Sequence, residues 1–136
     1  MNDQKGNTFR NFTDLDCWKK CRELRMFVVE LLKNYPKDEL YALSNNSKRA
    51  AYSTTNNIAE GYGRYSWQEN IHHCRISRGS LYELHDQLII ALDNKYISLQ
   101  DFENGVQQIT AAIALVNGYI AYLQKQAKLS KAKITN

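Results

Sequence analysis

The segment SLQDFENGVQQITAAIALVNGYIAYL, residues 98–123, decides the fold. Phe102, Val106, Ile109, Ile113, Val116, Ile120 and Leu123 recur at alternating steps of four and three. That spacing lays them on one stripe of an α-helix, whereas a strand would alternate every second residue. Ser98 precedes the stripe with Asp101 three positions on, a helix-start signal. One such helix cannot bury its own stripe, so the rest of the chain must supply partners.

The preceding segment supplies one. Ser66-Trp67-Gln68-Glu69 has the form of a capping box, in which serine and glutamate satisfy each other's backbone donors. After it, Ile71 or Cys74, Ser77, Leu81, Leu84, Leu88 and Ala91 form a second stripe. Gly79 falls inside this helix at a cost of about 1 kcal/mol against alanine, for which a close helix crossing would compensate. Each of these two helices is expected to run about 27 residues, roughly 40 Å.

A shorter helix is expected from an N-cap at Ser44 to about Gly61, with a thin inner face of Ala50, Ala51, Ser53, Thr54 and Ala59 beside Ile58. Its Ser53-Thr54-Thr55-Asn56-Asn57 run has poor helix propensity, so packing must hold it. Gly61 and Gly63 stop it. The first helix should start near Thr13 or Asp14, either of which can cap it, carry Leu15, Trp18, Cys21 or Arg22, Val28, Leu31 and Leu32 inward, and end before Pro36. Short connections make neighbours antiparallel. The expected fold is all-α, an antiparallel up-down-up-down four-helix bundle. Its organisation reads as a flexible N-terminal arm at 1–12, the bundle at 13–126 and a basic C-terminal tail at 127–136.

A chain of 136 residues with 43 % hydrophobic and 24 % charged content has the composition of one globular domain. One proline and six glycines suit a few long helices better than many strands. The N-terminus lacks the apolar segment of a signal peptide, and no apolar run approaches the roughly 18–20 residues of a membrane span. With three cysteines, an odd count, a disulfide framework is not indicated. A cytoplasmic setting without membrane attachment is therefore expected. The net charge of +4 lies in Lys125, Lys128, Lys131 and Lys133, because residues 1–123 hold 14 basic and 14 acidic groups.

Candidate chemistry is sparse. Glu69 and His72 have the spacing of a di-iron bundle pair, but such sites need two pairs and two further glutamates. Cys17, Cys21 and Cys74 lack the knuckle spacing of structural zinc and read as small core residues, while His72 and His73 read as surface or interface residues. Gly61-Tyr62-Gly63-Arg64 lacks the lysine and flanking strand of a phosphate loop. No catalytic residue, metal or cofactor is assigned. What remains is a basic set, Lys48, Arg49, Arg64, Arg75 and Arg78, suited to phosphate contact. Beside it stand Tyr52, Tyr62, Tyr65 and Trp67, suited to stacking or to an oligomer interface.

The stretch Lys48-Arg49-Ala50-Ala51 … Asn57-Ile58-Ala59-Glu60-Gly61-Tyr62-Gly63-Arg64 resembles the signature of bacterial four-helix-bundle proteins encoded in intervening sequences of 23S ribosomal RNA genes. Asp14-Leu15 … Trp18, Tyr35-Pro36 … Glu39 … Tyr41 … Leu43 and Arg78-Gly79-Ser80-Leu81 … Glu83-Leu84 extend the likeness over about residues 12–90. The family commonly carries an apolar residue and an arginine where this chain has Ser47 and Lys48; lysine lacks arginine's bidentate phosphate geometry. The resemblance implies a homo-oligomer, a pentameric ring, without enzymatic activity. Through the related accessory protein of diversity-generating retroelements, it also implies RNA or DNA as a partner. The alternative expectation is a protein-interaction scaffold that binds no nucleic acid.

Overall fold

A computed structural model describes residues 10–135. Four helices follow in order: α1 (Asp16–Leu32), α2 (Leu43–Tyr62), α3 (Trp67–Asp93) and α4 (Leu99–Thr135). α1 packs on α2, α2 on α3, α3 on α4, and α4 closes on α1. The chain is an all-α four-helix bundle, as the two stripes require. Cys74, Ser77, Leu81, Leu84, Leu88 and Ala91 of α3 meet Ile109, Val116, Ile120 and Leu123 of α4 in one core, with Leu24 and Val28 of α1 and Ile58 of α2. Each fully buried leucine or isoleucine there contributes about 1.5–3 kcal/mol.

The helix ends differ from expectation in instructive ways. Neither Thr13 nor Asp14 caps α1: Asn11 opens a 3-10 turn at Phe12–Asp14, with Asp14 closing a capping box, and α1 starts only at Asp16, after Leu15, without a side-chain cap. Phe12 of that turn stacks edge-on against Trp18 at 5.4 Å. α2 starts one residue before Ser44, at Leu43, so Ser44 is buried in the first turn rather than capping it. Ser66 and Ser98 do cap, their hydroxyls accepting from the amides of Glu69 at 3.3 Å and Asp101 at 3.0 Å. The reciprocal arm of the Ser66 box is not formed, because Glu69 turns its carboxylate to Arg64. The remainder of the expected flexible arm, residues 1–9, lies outside the described residues.

α4 is longer than its stripe. It continues through the lysine-rich segment to Thr135. Tyr119 of α4 lies level with Asn70 near the start of α3, so the last turns of α4 run past the bundle end alongside the α2–α3 turn. Residues 104–124 carry no charge at all. Contrary to the expectation from sequence, α4 is thus long and apolar enough, by length and composition, to cross a membrane. One face of it nonetheless closes the bundle core.

Two glycines set helix spacing, and Gly79 is not one of them. A Cβ on Gly61 would meet Asn70 Oδ1 at 2.7 Å and His73 Cβ at 2.9 Å, so α2 and α3 approach closely there. A Cβ on Gly105 would meet Leu88 Cδ1 at 2.6 Å. Gly79 faces open space, and the close crossing expected at that position is absent.

The α2–α3 seam and the core beside it hold a polar layer. Ser77 Oγ donates to the Thr54 carbonyl at 2.8 Å, Thr54 Oγ1 to the Ala51 carbonyl at 2.7 Å, and Asn70 Nδ2 to the Tyr119 hydroxyl at 3.2 Å. Cys74 Sγ donates to Asn70 Oδ1 at 3.6 Å. Cys17, Cys21 and Cys74 are buried, unbridged thiols. Burial pushes Cys21 and Cys74 up to about 12 and raises Cys17 as well.

Two outcomes follow for stability. Gly61→Ala should destabilise by about 1–3 kcal/mol through overpacking against the fixed Asn70. Gly79→Ala, filling only solvent, should stabilise by up to about 1 kcal/mol; urea unfolding of both variants gives the two signs. The thiols add a pH dependence. The unfolded chain releases their protons from about pH 8.5 upward, while the folded chain retains those of Cys21 and Cys74 to about 12. Their stabilisation is therefore full below that lower pH and falls as pH rises beyond it, by up to about 1.4 kcal/mol per thiol per pH unit. Thiol titration with Ellman's reagent at pH 8 should find no reactive group in the native protein and three after denaturation.

Candidate nucleic-acid interface

The five basic residues singled out from sequence occupy separate places. Arg64, after α2, is held by two carboxylates: Nη2 lies 2.6 Å from Glu60 Oε2 and Nη1 lies 3.4 Å from Glu69 Oε1. The Arg64 hydrogen bond holds the Glu60 carboxyl below its usual range, and the same bond raises the Arg64 guanidinium. Glu60 also faces His73 Nε2 at 3.9 Å, and His73 Nδ1 lies 3.0 Å from Asn57 Oδ1. Asn57 Nδ2 in turn donates to the Ser53 carbonyl and hydroxyl at 3.1 and 2.9 Å, which assigns its oxygen to His73 and makes Nδ1 the donor. The signature run Asn57 to Arg64 is therefore a clamp joining the end of α2 to the start of α3.

Arg78 Nη1 donates to Asn117 Oδ1 at 2.7 Å, bridging α3 and α4. Lys48 sits 5.7 Å above the Tyr52 ring, a cation–π pair on the outer face of α2. Arg49 lines a polar groove of about 420 Å³ between α2 and α3 with Asn46, Ser53 and Ser80, where Glu83 supplies an opposing charge. Arg75 alone of the five enters a surface with further basic groups.

That surface is a groove of about 720 Å³ between the start of α3 and the overhanging end of α4. Tyr65, Trp67 and Arg75 line one side and Lys128 and Lys131 the other, with Ile71 at the base. No acidic side chain lines it among the described residues. Two local causes build it. Ser66 starts α3 immediately after Tyr65, leaving that ring 92 % exposed while Trp67 packs on the core edge. α4 remains helical past the bundle end, so Ala127, Lys128, Ser130 and Lys131 form the opposite wall.

The aromatic set divides likewise. Tyr62 is partly buried beside the core, and its hydroxyl is raised chiefly by that burial. Tyr62, Tyr65 and Trp67 gather at the α2–α3 end, and Tyr52 lies apart from them on α2. The sequence reading places Lys128 and Lys131 in a basic tail, whereas they lie on the last turns of α4. The signal was present: neither glycine nor proline follows Gly118, so nothing stops the helix.

Charge is polarised along the bundle. Arg25 meets Thr55, and Thr54 meets Ser77 beside Arg78, so these residues mark a common level. From that level toward the α2–α3 turn the described residues carry twelve Lys and Arg against five Asp and Glu; toward the opposite end they carry five against eight. No group of three or more His, Cys, Asp or Glu side chains among the described residues can hold a metal ion, so His72, His73 and the three cysteines form no such set.

No curated protein matches the chain. A family model does, that of the 23S rRNA-intervening sequence protein, over residues 13–118. The match runs from the 3-10 turn before α1 into α4, takes in the Asn57–Arg64 clamp, and agrees with the four-helix architecture. This chain belongs to the 23S rRNA-intervening sequence protein family.

Proposed function

We propose that this protein is a non-enzymatic, homo-oligomeric bundle of the cytoplasm that binds nucleic acid, RNA or DNA, through its basic end. The observation that carries this reading is the groove in which Arg75, Lys128 and Lys131 lie beside Tyr65 and Trp67. Clustered cations release condensed counterions when they meet phosphates, which drives association with any polyanionic strand. Lys48, Arg49, Arg64 and Arg78 have secondary parts in this reading, because none of them lines that groove.

Self-association draws support from α4. Ala114, Leu115, Gly118 and Ala121 lie exposed on its outer side, a stretch without charge that a second subunit can cover. A ring of five copies would use two different, complementary faces. The same face favours the second reading, a protein-interaction scaffold without nucleic-acid binding.

Binding to RNA and DNA at two salt concentrations tests the first reading. Affinity should fall steeply with salt, and Lys128→Glu with Lys131→Glu should weaken it about tenfold or more and flatten the salt slope by about 0.7–0.9 per lost contact. Undetectable affinity at low salt would overturn it in favour of the scaffold. Light scattering after size exclusion should give a multiple of the 15.8 kDa chain mass, five-fold for the ring. A mass that stays at one chain on raising the concentration would remove the oligomer.

A further inference from the structure

We infer that the groove between the α2–α3 turn and the end of α4 takes unpaired nucleotides, with the rings of Tyr65 and Trp67 as stacking platforms. The inference rests on the nucleic-acid reading above and names the form of strand. Three cations line the groove at the same end as an aromatic ring that is 92 % exposed. Cations alone suit any polyanion, duplex included. A fully exposed tyrosine two positions from a tryptophan adds something a duplex cannot use, because its bases already stack on one another and present only their edges. In a single strand each base has a free face, and every base has one, so stacking tolerates any sequence. The groove has the volume of sites that enclose small organic ligands, and Ile71 gives it an apolar base. The other basic sites lack this combination: Arg49 shares its groove with Glu83, and Arg64 is held by Glu60 and Glu69.

The test uses the whole chain carrying Trp18→Phe, which leaves Trp67 as the one tryptophan reporter. Polyuridylate, polythymidylate, a mixed-sequence duplex and heparin are titrated at low salt, with and without Tyr65→Ala. The side chain at position 65 is almost wholly exposed, so its removal leaves the fold intact. Both single strands should quench Trp67, and Tyr65→Ala should weaken them about five- to hundred-fold while leaving heparin unchanged. The ratio of the uridylate to the thymidylate affinity reports the joint preference for sugar and base methyl, and quenching by either strand that depends on Tyr65 supports the inference. Tyr65→Phe should restore binding. Equal affinity for duplex and single strand, insensitive to Tyr65→Ala, would overturn stacking while leaving a polyanion-binding groove. Absence of binding to every polymer would overturn both readings.

Discussion

The approach of α2 to α3 governs the remaining geometry. Helix backbones come this near only where side chains are minimal, and α2 presents Ala50, Thr54 and Gly61 to its partner. Around Gly61 there is no room for a methyl group. The contact is then locked by directional bonds, Ser77 to the Thr54 carbonyl and Ser80 Oγ to Ser53 Oγ at 2.8 Å. Each bond adds about 1 kcal/mol net, but leaving such a group unmade inside the seam would cost more, so together they specify one register. This seam holds the helix-averse run Ser53 to Asn57 in a helix. It also fixes where α3 begins, and with it the positions of Trp67 and Arg75. The groove is a consequence of the seam.

The seam also gives a physical meaning to the family signature. The small residues are the contact itself, and Asn57, Glu60 and Arg64 fasten its end by reaching His73 and Glu69 across the turn. Arg64 on paper looks like a phosphate ligand; in the fold its charge is spent on two carboxylates. Position 47 shows what a departure from the pattern costs. Ser47 is only 3 % exposed, and its hydroxyl finds no hydrogen-bond partner among the protein atoms described, where an apolar side chain would bury without that loss.

What could be read from the chain was whatever depends on periodicity. The stripes of α3 and α4 required only that apolar residues recur every three to four positions, and the core follows them nearly residue for residue. Terminal chemistry was less legible, because a cap depends on which of several polar residues the tertiary fold brings into place: Asn11 caps the turn that holds Thr13, and Ser44 was drawn inside. Glycines were ambiguous for the same reason. Gly61 reads as a helix stop and Gly79 as a close crossing, yet α2 continues through Gly61, where the close approach lies, and Gly79 faces open space. The groove was half legible. Tyr65, Trp67 and Arg75 stood out, but Lys128 and Lys131 lie more than fifty positions away, and only the antiparallel return of α4 brings them alongside.

The separation of charge along the bundle has a consequence before any contact is made. With an excess of cations at the α2–α3 end and of anions at the other, the chain is an electric dipole superimposed on a net positive charge. In the field of a polyanion such a body feels a torque as well as an attraction, and it turns its basic end forward while still beyond contact distance. For a polyanionic partner of the kind proposed, orientation would be selected during diffusion, which raises the rate of encounter more than the lifetime of a complex. The acidic end trails, turned back toward solvent, where its like charge discourages a second polyanion from bridging the same molecule. At physiological ionic strength the screening length is about 8 Å, so this alignment acts only over a final distance shorter than the width of one helix.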